Sequence, residues 1–72
     1  MEIEKVKKLE YLHQLISHKA TGTPENCAQK LNICERTLYR YIDYLKDRGA
    51  PISYNYLAQS YVYNDEWVFS LF

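Results

Sequence analysis

Apolar residues recur along the first quarter of the chain at the spacing of a helix. Leu9, Leu12 and Ile16 share one face of a segment from residue 3 to 18, with Ile3, Val6 and Leu15 at its margins. Glu4 and Lys8 stand four apart on the polar side, in the order that supports a helix. The run stops at "TGTP". Gly22 permits a turn, Thr23 suits the N-cap of a new helix, and Pro24 suits its first position, where a missing N–H costs nothing. A short second helix is predicted over residues 24–31, with Ala28 and Leu31 inward. "LNIC" breaks it. Asn32 is the non-glycine residue best able to turn left-handed at a helix end, and Ile33 plugs the turn. Cys34 falls where the next N-cap belongs, and Glu35 complements the positive end of a third helix over residues 35–48, closed by Gly49.

Beyond Pro51 the period changes to two. "ISYNY" and "SYVYN", separated by "LAQ", are Tyr- and Val-rich segments that predict an antiparallel hairpin. "WVFSLF" is a candidate third strand, and "TGT" could add a short one before the second helix. The predicted fold is mainly α with a small β hairpin: a winged helix-turn-helix of three helices plus a two- to three-stranded antiparallel wing, in one domain over residues 1–72.

Length narrows the function. A chain of 72 residues buries only about 60% of the surface it exposes when unfolded, and has little room for a cavity of about 300 Å³. A binding module is expected, not an enzyme. His13 and His18 are five apart and off one face, and no Ser, Cys or carboxylate has an activating partner in the sequence, so no catalytic residue is expected. Cys27 and Cys34 are expected as reduced thiols, without the paired spacing of a zinc site, and neither metal nor cofactor is expected. No apolar run approaches the ~18 residues of a membrane helix, and "MEIEKVKKLEYL" has no signal-peptide core. A cytoplasmic protein with no membrane contact is expected.

Charge narrows it further. The chain is neutral overall, but residues 1–48 hold all nine Lys and Arg against seven acids, a balance of +2. Residues 49–72 hold only Asp65 and Glu66. A nucleic-acid face therefore belongs to the first two-thirds. At 100° per residue on the third helix, Ile42 and Leu45 lie within about 40° of Leu38, and Tyr41 within about 60°. Arg36, Arg40, Asp43 and Asp47 gather on the opposite side, with Thr37 and Tyr44 between the faces. Arg36 and Thr37 occupy the first turn, which in a helix-turn-helix meets base edges in the major groove. Arginine pairs both acceptors of guanine's edge and also binds phosphate. Thr37 can meet a base, a phosphate or a thymine methyl, and Tyr39 and Tyr44 can donate to phosphates. Arg36, Thr37, Tyr39, Arg40 and Tyr44 are thus the candidate DNA-binding residues. The competing reading is an exposed face on which Arg36 and Arg40 pair with Asp43 or Asp47.

The stretch "TGTPENCAQKLNICERTLYRYIDYLKDRGAPISYN" resembles the winged helix-turn-helix domain of the type 11, DeoR-like class of bacterial transcriptional regulators. The likeness is carried by Ala28, Leu31, Ile33, "RTLYR" at 36–40, Leu45 and "GAPI" at 49–52. Asn32 and Cys34 stand where the class usually has Gly and Ser. The resemblance implies a DNA-binding transcriptional regulator that uses Arg36, Thr37, Tyr39 and Arg40. Two departures accompany it. The wing tip "YLAQSY" lacks the arginines common in that class, and the sensing domain that often follows is not expected here. The alternative is a protein–protein interaction or dimerisation module that retains the fold, in keeping with the neutral charge and the aromatic last third. Double-stranded DNA is the expected partner. A homodimer through the C-terminal aromatic segment 52–72 is also expected, because exposing Trp67, Phe69 and Phe72 together is costly. These rings folding back onto the first helix is the competing arrangement.

Overall fold

The structure is a computed structural model that describes residues 3–65 of the chain. Helix α1 spans Ile3–Ser17, α2 Pro24–Leu31 and α3 Glu35–Asp47. Strands β1 (Ile52–Asn55) and β2 (Ser60–Tyr63) follow as an antiparallel pair. Three helices and a hairpin in this order form the winged-helix arrangement. Expected and observed bounds differ by one residue at the ends of α1 and α3, where Arg48 is the C-cap of α3.

Local chemistry accounts for the breaks. Gly22 adopts φ +73°, and a Cβ there would lie 3.1 Å from Asn26 Cβ. Thr23 Oγ1 accepts the Asn26 N–H at 3.3 Å, capping α2 with Pro24 at its start. Asn32 is left-handed at φ 56°, ψ 47°, and the Ile33 N–H returns to the Ala28 carbonyl at 3.0 Å. Cys34 takes the extended N-cap conformation but makes no side-chain cap hydrogen bond to the backbone of α3; its Sγ lies 3.3 Å from the Thr37 hydroxyl instead. Sulfur is a weak hydrogen-bonding partner, so the cap is set mainly by backbone shape.

The core lies between the helices and one face of the hairpin. Leu9, Leu12 and Ile16 of α1 meet Ala28 and Leu31 of α2, Leu38, Ile42 and Leu45 of α3, and Ala50, Ile52 and Tyr61. Cys27 joins them fully buried, a small apolar filler. Burial pushes its thiol up to about 11, partly offset by the Lys30 charge.

In the sheet Tyr54 faces Tyr61 and Ile52 faces Tyr63. The Tyr61 N–H points away from β1 to Thr21 Oγ1, at 2.8 Å. Tyr54 and Tyr61 therefore form a non-hydrogen-bonded pair, in which side chains approach closely, and their rings meet edge to face at 5.1 Å. The "TGT" segment does not become a strand. Gly22 turns the chain after Thr21, so a single residue reaches β2, through side-chain hydroxyls. Among the described residues the sheet has two strands. The candidate strand "WVFSLF", with Trp67, Phe69 and Phe72, lies outside the described residues.

Candidate nucleic-acid interface

Helix α3 is fixed by its buried stripe of Leu38, Ile42 and Leu45. That stripe turns Arg36 and Arg40 outward, and both are exposed. Among the described residues neither guanidinium has a hydrogen bond or salt bridge, although Asp43 and Asp47 share the surface. The pairing that would make these arginines mere surface solvation is absent there.

The other three candidates sit on the flanks. Thr37 is half-buried, its hydroxyl 3.3 Å from Cys34 Sγ. The same hydroxyl leads the influences that lower the pKa of the exposed Cys34 thiol, followed by backbone hydrogen bonding in the first turn. Tyr39 is 47% exposed on the flank nearer the hairpin. Its charge is among those that, after burial, raise the Tyr61 hydroxyl to about 12, together with Cys27, Tyr54 and Glu35. Tyr44 lies on the opposite flank, packed against the core. Lys5 Nζ stands 5.6 Å from its ring centre and the Arg48 guanidinium 5.7 Å. Both are within cation–π range. Arg36 and Arg40 thus form one outward pair, Thr37 and Tyr44 one flank, and Tyr39 the other.

Sequence reasoning missed the bracket around Tyr44. The four-residue spacing of Tyr44 and Arg48 was a usable signal, whereas Lys5 arrives from another helix. It also missed two lysines that bind backbone carbonyls. Lys8 Nζ reaches the Asn32 carbonyl at 3.5 Å, tying α1 to the α2–α3 turn, and Lys30 Nζ reaches the Ala20 carbonyl at 2.7 Å.

The hairpin tip has a different character. Asn55 Oδ1 accepts from the Leu57 and Ala58 N–H groups at 2.9 and 3.0 Å, and Gln59 closes the turn at φ 50°. Tyr56 is 83% exposed and Leu57 99%. Tyr56 rests edge-on against Tyr54, with ring centres 5.0 Å apart. Between residues 49 and 65 the one charged side chain is Asp65.

Among the described residues no three His, Cys, Asp or Glu side chains are grouped to hold a metal ion. No helix among them is long and apolar enough to cross a membrane. No protein-family model matches the chain, and neither does any curated protein or solved structure.

Proposed function

We propose that this chain binds double-stranded DNA as a transcriptional regulator, with α3 in the major groove. One observation carries the reading: Arg36 and Arg40 stand exposed, and unengaged among the described residues, on the outer stripe of the second helix of a helix-turn-helix. Arg36, in the first turn, is assigned to a base edge, and Arg40, one turn on, to phosphate. Thr37 and Tyr39 flank them with hydroxyls suited to the sugar–phosphate backbone. Tyr44, already engaged by Lys5 and Arg48, is the more peripheral contact. The likeness of residues 21–55 to the type 11, DeoR-like class supports the same reading, and with it a bacterial, cytoplasmic setting.

The test is affinity for mixed-sequence duplex DNA across a range of salt. Binding is expected to weaken linearly in log–log form, by about 0.9 per phosphate neutralised. No binding at low salt rejects the proposal. It would favour the second reading, a protein-interaction module, whose supporting observation is the cation-free hairpin tip with Tyr56 and Leu57 in solvent.

A further inference from the structure

We infer that the phosphate backbone of one DNA strand runs along the α1 side of α3, over a cationic site that Lys5 and Arg48 form around the ring of Tyr44. This path presumes the DNA reading above and fixes which side of α3 the duplex occupies.

The outer surface of α3 divides into two rows. Arg36, Arg40 and Tyr44 follow one another at four-residue steps, and Arg48 at the C-cap takes the next place. Each step advances about 6 Å along the axis and turns about 40°. The row thus starts on the outward face and ends on the flank toward α1, where Lys5 joins it. Glu35, Tyr39, Asp43 and Asp47 form the neighbouring row at the same spacing. Its start lies toward the hairpin, close enough for Glu35 and Tyr39 to act on Tyr61. One row carries three arginines and no acid, the other three acids and no cation.

Position and charge together select a phosphate strand. A helix that enters the major groove by its first turn carries its far end out past the groove edge, where the backbone passes. Lys5 and Arg48 stand at that end, 5.6 and 5.7 Å from the Tyr44 ring centre. Cations gathered at one ring repel each other. Arg48 has a further contact, but the Lys5 ammonium has no hydrogen bond or salt bridge among the described residues. A phosphate oxygen supplies the missing negative charge. The same row leads back to Arg40, already assigned to phosphate, so Lys5 extends that contact along the strand. On the hairpin side, the acidic row and the cation-free segment 49–65 offer phosphate nothing, which holds the duplex toward α1.

The experiment measures the affinity of the full chain for mixed-sequence duplex DNA against salt. Lys5→Gln is expected to reduce the log–log slope by about 0.9, one phosphate contact, and to weaken all sequences alike. Lys5→Met, which keeps the stem, is the companion if glutamine disturbs α1. Lys5→Arg keeps the charge and should keep the parent's slope. Lys7 is exposed about 200° around α1 from Lys5, so Lys7→Gln removes the same charge and should leave the slope unchanged. Leu57→Lys puts a cation on the hairpin tip and should not steepen the slope. Circular dichroism checks each fold. A parental slope in Lys5→Gln, an equal loss in Lys7→Gln or a steeper slope in Leu57→Lys overturns this path and leaves the DNA reading standing. A parent that binds no duplex at low salt removes the DNA reading, and this contact with it.

Discussion

The hydroxyls of Thr21 and Ser60 lie 3.0 Å apart, and neither side chain reaches solvent. Around them the Thr21 N–H donates to Ser60 Oγ at 3.1 Å, and the Tyr61 N–H donates to Thr21 Oγ1 at 2.8 Å. This small polar knot fastens the hairpin to the segment between α1 and α2. Thr21→Val keeps the shape but strands the Tyr61 N–H, at a cost of about 1–3 kcal/mol. Ser60→Ala strands the Thr21 N–H, with a cost in the same range. Because the two share partners, the double variant is expected to lose less than the sum in denaturant unfolding. Strict additivity would show that the two residues act separately.

Acid sensitivity is expected from His13. Its Nδ1 lies 2.8 Å from the Tyr63 hydroxyl, joining α1 to β2, and burial lowers its pKa. The unfolded chain takes up this proton near pH 6.5, while the folded chain resists until lower pH. Between those points the unfolded state holds more protons. The stabilisation is therefore complete above about 6.5 and declines as pH falls toward the folded pKa. His13→Gln keeps a hydrogen-bonding group without the titration. Its stability is expected to fall less between pH 7 and 5, and a parallel decline would assign the effect elsewhere.

At high pH the sign reverses. Burial pushes the Tyr61 and Tyr63 hydroxyls up to about 12. Unfolded tyrosines ionise near pH 10, so stability is full below about 10 and is lost as pH rises toward 12. Alkaline unfolding should therefore coincide with the tyrosinate absorbance change, and Tyr63→Phe should move its onset upward.

At the start of α3, Cys34→Ser replaces a side chain that caps nothing with one that accepts well. Stability is expected to stay level or rise by up to about 1 kcal/mol, with DNA binding retained. A loss of stability or of binding in this variant would mean that the Cys34–Thr37 contact has a role serine cannot fill.

On DNA, the two arginines should part company. Arg36→Ala is expected to cost about 1–3 kcal/mol and to relax preference at one base position. Arg40→Ala should weaken all sequences alike and reduce the salt slope by about 1. If the folded double alanine variant binds as the parent does, α3 is not the contact surface.

The helical part of this fold was legible because its signals are local. Thr23, Pro24 and Asn32 each carry their meaning in their own backbone preferences, and α2 spans Pro24–Leu31 as they indicate. Leu38, Ile42 and Leu45 gave the buried stripe of α3 by periodicity alone, and with it the outward direction of Arg36 and Arg40. Long-range pairings were not legible. Nothing near Thr21 points to Ser60, 39 residues away, so "TGT" suggested a strand where two hydroxyls suffice. Alternation put Tyr54 and Tyr56, and Tyr61 and Tyr63, on shared faces, but could not show that Tyr61 is buried while Tyr56 stands in solvent. That depends on how far the hairpin extends past the helices. Nor could helical angle reveal that a lysine from α1 reaches the ring of Tyr44.

The hairpin is not uniformly held along its length. On β2, just past the turn, the Tyr61 amide ends on a wholly buried hydroxyl. Within the turn the Leu57 and Ala58 amides both depend on one exposed Asn55 carboxamide. The Tyr61 amide hydrogen should exchange only when the whole domain opens, while those of Leu57 and Ala58 exchange through small local fluctuations. Amides four residues apart or fewer thus report on openings of very different size, and exchange at Leu57 need not involve any loosening of β2 from α1.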